Sequence, residues 1–322
     1  MGNFNAKIVA EIIRQSPRKT NPVNYLMKMF PMSKETAYRR IRNDIPFPLD
    51  ETVAIAQDLN VSIDQLIDAK TGNNYPFIRG LDIENEPIDI YSSLIREDIE
   101  VMRRLAAAKS MNVIATMNRI PLRLLPYKAL LRFDYCNYLY SIGKISLMTH
   151  CPDIVVPPEI IDLHRESVSR ISQLNNITCI IDDMFFPDII KRLQYHYRLG
   201  FISAAEIKVL QAELFELLGA YENMLRSGKS ASGREYVFYY SLSNLESSSI
   251  FLEYDRSSIL QIWLYPESPV VIKDNQPVSA IHKKWIESKM RNSVLITKIN
   301  DSQKIEMLRN AYRGIEELKI KN

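Results

Sequence analysis

Glycine is scarce in this chain, nine residues in 322, and no two glycines stand one residue apart. A Gly-rich turn that lays backbone N–H groups on a pyrophosphate or triphosphate is therefore missing, which sets aside the common nucleotide-binding folds. Cysteine is scarcer. Cys136, Cys151 and Cys179 are odd in number and form no C-x-x-C pair. Neither a disulfide framework nor a zinc site is expected, and free thiols suit a reducing cytoplasm. No apolar run approaches the roughly 20 residues of a spanning helix, so no membrane partner is expected. The opening MGNFNAKIVAEIIRQ is too interrupted by polar residues for a secretory leader, and Ala6 stands where N-myristoylation wants Ser or Thr. Internal repeats and low-complexity tracts are also missing.

What the chain has is ordinary globular composition, 46% hydrophobic and 25% charged, a length that suggests about two domains, and an uneven charge distribution. Net charge is only +3. Yet nine basic residues face two acidic ones over residues 1–43, and one faces six over residues 44–70. Such a segment presents a basic face to an anionic partner. At its centre is MSKETAYRRIRN, Met32–Asn43. The spacing predicts a helix over Ser33–Arg42 with Ser33 as N-cap, its hydroxyl satisfying an orphan N–H of the first turn. Ala37 and Ile41, four apart, make a narrow buried stripe, with Met32 packing just before it. Lys34, Glu35, Thr36, Tyr38, Arg39, Arg40 and Arg42 are expected to face outward. That set of cations, hydrogen-bonding groups and one aromatic suits a DNA major groove. The plainer alternative is a solvated charged face on a small bundle; the charge polarity favours the groove.

The flanks supply helices to hold so thin a stripe. Asn5–Ser16 is predicted helical with Ile8, Val9, Ile12 and Ile13 inward, and Pro17–Thr20 is a basic linker. Asn21-Pro22 is a cap followed by a first-turn proline; VNYLMKMF follows it, and Pro31-Met32 make the turn into Ser33. Pro46 and Pro48 precede a helix over Leu49–Leu59 with Leu49, Val53, Ala56 and Leu59 on one face. Asn60-Val61-Ser62 leads into a last short helix with Ile63, Leu66 and Ile67 inward. The combination AYRRIR…PF…IAQDLNVSID within this stretch resembles the helix-turn-helix of the Cro/C1-type (XRE) superfamily, and within it the BetR-like branch. The resemblance covers roughly residues 1–70. It implies a domain of about five helices that binds double-stranded DNA through Ser33, Lys34, Glu35, Thr36, Tyr38, Arg39, Arg40 and Arg42, with Arg18 and Lys19 on phosphates. One position departs from the pattern: the glycine that commonly closes the reading helix is Asn43, which also tolerates the left-handed conformation.

Residues 71–86, TGNNYPFIRGLDIENE, are rich in turn-formers and read as a linker. Residues 87–322 form the second domain. Ile88–Ala108 is predicted as a long helix with Tyr91, Ile95, Ile99, Met102 and Leu105 on one stripe. MNVIATM (111–117) and ITCII (177–181) read as strands, with helices over Pro126–Ile142 (Phe133, Cys136 and Tyr140 on one side), from Pro158 to Leu174, and on to about Tyr197. Ser203–Glu206 is a capping box, and behind it Ile207, Leu210, Leu214, Leu217, Tyr221 and Met224 keep a heptad. REYVFYYSL, SIFLEY, ILQIWLY and NSVLIT are of strand length. Ile281–Lys289 and Asp301–Leu318 read as helices, the latter with Ile305, Leu308, Tyr312 and Ile315 in register. The expected fold is mainly α: an all-α helix-turn-helix domain, then a larger helix-rich α+β domain ending in a C-terminal antiparallel sheet.

Chemistry-bearing residues are few. His282 and Lys284 begin an H-x-K-x(4)-D pattern, but Lys289 stands where the carboxylate belongs and the segment is amphipathic. Asp182-Asp183 after ITCII suit a helix start better than a Mg²⁺ site. His150-Cys151, His164 and Cys179 lack metal-ligand spacing, and His164 reads as a hydrogen-bonded core histidine. The aromatic strands (Tyr236, Phe238, Tyr239, Tyr240, Tyr254, Trp263, Tyr265) read as sheet core or as the wall of a ligand pocket. No catalytic residue, cofactor or metal is expected.

Three functions compete. The leading expectation is a cytoplasmic DNA-binding transcription regulator whose second domain forms a homodimer and senses a small-molecule effector. A DNA-binding adaptor or prophage-type repressor whose second domain binds a protein is the alternative. An enzyme carrying a DNA-binding domain is disfavoured by the missing catalytic set. A closed apolar pocket would favour the first, and an exposed apolar groove the second. Dimerisation is expected through the heptad face of Ser203–Leu225 or the stripe on Ile88–Ala108, because one small module buries too little surface to select a genomic site.

Overall fold

Side-chain caps start the helices of the computed structural model at several of the points the residues indicate. Residues 4–15, 21–59, 61, 63, 66, 86–146, 150–255, 257–263, 269–274, 276–299 and 302–318 are described, and they fall into two units, Met1–Phe77 and Ile78–Asn322. In the first unit the described helices are α1 (Phe4–Gln15), α2 (Pro22–Met29), α3 (Lys34–Ile41) and α4 (Leu49–Asp58). Asn21 caps α2 through Val23 N–H, and Ser33 caps α3 through Thr36 N–H. Asn43 closes α3 with φ of 66°, the left-handed conformation a short polar side chain tolerates. Ile8, Ile12, Val23, Leu26, Ala37, Phe47 and Ile55 form the core. Two expected faces are corrected. Ile13 is exposed, and so is Leu49; α4 buries Ala56 as expected, with Thr52 and Ile55 beside it. The helix expected over Ile63–Ile67 lies mostly outside the described residues, as does the linker 71–86.

The second unit is organised by a sheet. Its strands are β1 (Met111–Met117), β2 (Ile177–Ile181), β3 (Tyr236–Ser241), β4 (Ser249–Tyr254), β5 (Ser257–Ile262), β6 (Val270–Lys273) and β7 (Ser293–Leu295). They lie in the order β6-β5-β4-β1-β2-β3-β7. β1–β2 and β2–β3 are parallel, and every other pairing is antiparallel. The expectation of a mainly α chain with only a C-terminal antiparallel sheet is thereby overturned. β1 and β2 come from the first half of this unit and form the centre of a mixed seven-stranded sheet. The cause is crossover geometry: long helical connections return the chain to the same sheet edge, which makes neighbouring strands parallel and buries both faces.

Those connections are α6 (Lys128–Ser141) and α7 (Pro158–Ile171) between β1 and β2, then α8 (Pro187–Arg198) and α9 (Ala204–Ser227) between β2 and β3. With α5 (Pro87–Ala107) and α11 (Ser302–Glu316) they supply the larger core, against the sheet face of Val113, Ala115, Ile177, Cys179, Phe238 and Leu252. The opposite face, Ile114, Ile180, Phe251 and Leu260, packs against Ile286 of α10 (Gln276–Arg291). A third cluster joins α5, α6 and α7 around Tyr91, Tyr135 and Tyr138. The Ser203–Glu206 capping box is formed, and α9 ends at Gly228 with φ of 71°. Both surfaces expected to pair two chains, the α9 heptad and the α5 stripe, are inside this unit's own core. On α6 and α11 the expected faces are also revised, because Tyr140 and Ile305 are exposed. All three cysteines are free and buried, and the thiols of Cys136 and Cys151 meet at 2.8 Å.

Candidate functional site

α2 and α3 are joined by a tight turn in which Phe30 N–H donates to Leu26 O and Met32 N–H to Phe30 O, each at 2.9 Å. Ala37, fully buried, seats α3 on this core. At 3.6 residues per turn, Lys34, Tyr38, Arg42, Glu35 and Arg39 fall on one arc of about 140° opposite Ala37. Lys34, Glu35, Arg39 and Arg42 are exposed and Tyr38 is half-buried. The Arg42 guanidinium lies 5.8 Å from the Tyr38 ring centre, which keeps a cation over an aromatic edge of the same face. Thr36 is half-buried beside the cap, its hydroxyl 2.9 Å from Ser33 Oγ.

Arg40 departs from the expected outward set. It lies on the flank of the buried stripe, only 9% exposed. Its Nη1 is 2.5 Å from Glu51 Oε2 on α4, and its guanidinium stacks 5.0 Å from the Phe47 ring. Arg40 is therefore a structural tie between α3 and α4, and burial keeps its guanidinium off the outward face. Tyr25 makes a second tie, donating to Asp58 Oδ2 at 2.7 Å. Arg18 and Lys19, the expected phosphate contacts, lie outside the described residues.

The second unit holds an open-mouthed cavity of about 860 Å³, near the top of the usual range of roughly 300–1,000 Å³ for small-molecule sites. Its floor is one face of four strands. One row across the sheet reads Ile250, Ala115, Cys179, Phe238, and the next reads Leu252, Val113, Ile177, Tyr236. Ala115 and Cys179, the smallest of the eight, are adjacent in the central pair of strands, and their short side chains leave the hollow. Leu217, Ala220, Tyr221 and Met224 of α9 form one wall, and Pro121 and Leu124–Tyr127 form the other. Exposed Glu216, Asn223, Ser227 and Lys229 mark the mouth.

Polar groups inside the cavity are uncharged. Burial pushes the Cys179 thiol up to about 12 and raises the Tyr221 and Tyr236 phenols well above their ordinary value. Tyr127 is raised by burial and by Glu216 and Glu213 nearby. Tyr221 and Tyr236 flank Phe238, each with ring centres 6.1 Å from it. Neither phenol oxygen has a hydrogen-bond partner among the described residues. Of the aromatic-strand residues named from the sequence, Tyr236 and Phe238 reach this cavity. Tyr239 packs on the opposite face of the sheet, and Tyr265 lies outside the described residues.

The remaining sequence candidates have structural partners. His282 Nε2 meets Ser249 Oγ at 3.0 Å under α10, and burial lowers its pKa to about 4. Asp182 accepts from Met184 N–H and Leu245 N–H, locking the turn after β2 to the loop after β3. His164 Nε2 donates to Leu125 O at 2.8 Å. Among the described residues no group of three or more His, Cys, Asp or Glu is placed to hold a metal ion, and no helix is long and apolar enough to cross a membrane. Sequence reasoning missed Ala115, Cys179 and Tyr221 as cavity residues. The available signal was two small residues at matching central positions of two apolar strands. No family model, curated protein or solved structure matches the chain.

Proposed function

We propose that the chain is a transcription regulator that binds double-stranded DNA sequence-specifically through a Cro/C1-type, BetR-like helix-turn-helix, acting in the cytoplasm as a homodimer. One observation carries the reading: α3 buries Ala37 on a two-helix core and holds Lys34, Glu35, Tyr38, Arg39 and Arg42 on a single outward arc. A helix supported from behind, with cations and hydrogen-bonding groups in front, has the shape and chemistry of a major-groove reader. Arg39 reads a base edge and Arg42 contacts phosphate; Arg40 is assigned to fold support. The second unit senses a small molecule, and the cavity favours this over a purely protein-binding adaptor.

Selection of a duplex from a random pool by the full-length chain, followed by binding of variants to the selected and random duplexes, tests this. Arg39→Ala is expected to lose about 1–3 kcal/mol on the selected duplex, with relaxed preference at one position and an unchanged melting temperature. Arg40→Ala is expected to lower the melting temperature of the first unit. Recovery of no preferred sequence, or equal loss on both duplexes for Arg39→Ala, overturns the base-reading assignment.

A further inference from the structure

The cavity of the second unit specifies its occupant more narrowly than size alone. We infer that it binds a neutral, mostly hydrocarbon molecule that carries an alcohol or carbonyl oxygen, held by the phenols of Tyr221 and Tyr236. This deepens the sensing part of the reading above and rests on it only for the regulatory consequence.

Three observations point the same way. The floor rows are hydrocarbon apart from the Cys179 thiol and the Tyr236 phenol, so most of a ligand there trades water for carbon contacts. Tyr221 is 8% exposed and lines the cavity, yet its phenol has no partner among the described residues. Its O–H, reachable from the cavity, can donate to a ligand oxygen in place of water. Tyr236, stacked on Phe238 at 15° and 6.1 Å, offers a second donor from the cavity lining. Third, the charged residues of the lining, Glu216 and Lys229, are exposed at the mouth, while the described interior residues carry no formal charge. A carboxylate or ammonium drawn to the floor would be desolvated without a counter-ion, so charged ligands are rejected.

The test uses the full-length chain and N-phenyl-1-naphthylamine, a neutral dye that brightens in apolar sites. 1-Decanol, kept below its aqueous solubility, and decanoate and decyltrimethylammonium, kept below their micelle-forming concentrations, compete for it. Saturable dye binding is expected, with 1-decanol displacing at least tenfold better than either ion. Tyr221→Phe/Tyr236→Phe keeps both rings, so it should bind the dye as before and weaken 1-decanol by fivefold or more. Ala115→Leu puts a larger side chain into the floor and should weaken dye and decanol together; where it does not fold, the double phenylalanine variant decides. Absence of saturable dye binding by the folded chain overturns the inference. So does decanoate competing as well as decanol, or an unchanged decanol affinity in the double variant. DNA selection is scored separately: ligand binding without a preferred duplex retains this inference and rejects the regulator, and the reverse outcome rejects only the ligand.

Discussion

Arg123 Nε stands 3.3 Å from Asp98 Oδ2, and each side chain is 6% exposed or less. The second carboxylate oxygen accepts from Gln261 Nε2 at 3.2 Å. α5, the single turn Leu122–Leu124 and β5 are thereby tied at one point, and Leu124–Tyr127, which follow Arg123, form part of the wall of the cavity. Burial raises the Asp98 carboxyl and Arg123 opposes that rise, so the pair depends on both members.

Arg123→Met should therefore cost about 3–5 kcal/mol in denaturant unfolding, since it leaves Asp98 buried without its cation. Part of that loss should return as the pH falls, because the stranded carboxyl then takes up a proton in the folded state more readily than in the unfolded one. Asp98→Leu/Arg123→Met, with both charges gone, should recover most of the stability. A single variant within about 1 kcal/mol of the parent, on an unchanged denaturant slope, would mean that Asp98 finds other compensation.

How far these features were legible follows from how local their causes are. Asn21, Ser33 and the Ser203–Glu206 box act within one helical turn, and each caps the helix its sequence announces. MNVIATM and ITCII were also legible as strands. Their neighbours were not, because strands buried on both faces carry no alternation that sets a partner or direction. Two errors about the sheet, confining it to the C-terminal end and taking it as wholly antiparallel, come from that silence. Arg40 was misplaced because its partner Glu51 is eleven residues away on another helix. The cavity was invisible for the same reason: Ala115 and Cys179 are ordinary core residues until β1 pairs with β2. The helix-turn-helix resemblance lay in local spacing, so α3's exposed arc could be drawn from sequence.

His196 makes the fold acid-sensitive. It sits among Phe133, Tyr195 and Phe201, with ring centres 5.0–5.5 Å away. Its Nδ1 is buried without a hydrogen-bond partner in the structure. Burial, aided by Arg192, lowers its pKa from 6.5 to about 4. The unfolded chain therefore takes the proton first. Stability present above about pH 6.5 is lost as the pH falls toward 4. Melting temperature should drop over that window, and His196→Phe, which suits the aromatic surroundings, should flatten the drop. His282, also lowered to about 4, supplies part of the slope that remains. Identical pH slopes for the parent and His196→Phe would exclude His196 as a contributor.

The heptad of α9 is where the oligomer expectation meets the fold. Ile207, Leu210, Leu214, Leu217 and Tyr221 are all buried within their own unit, and Tyr221 also faces the cavity. A seam already filled by its own core has no surface to offer a second chain. Leu214→Glu should accordingly place an unpaired carboxylate in that core, cost several kcal/mol and abolish the cooperative melting of the second unit. Ala212, exposed on the same helix, is the control: Ala212→Glu should change stability by no more than about 0.5 kcal/mol. Circular dichroism melts of the two full-length variants separate the cases. If Leu214→Glu melts like the parent and sediments at a lower mass, the seam is a surface that pairs two chains and the packing described here is wrong. If it unfolds while Ala212→Glu does not, any pairing of two chains must use another face.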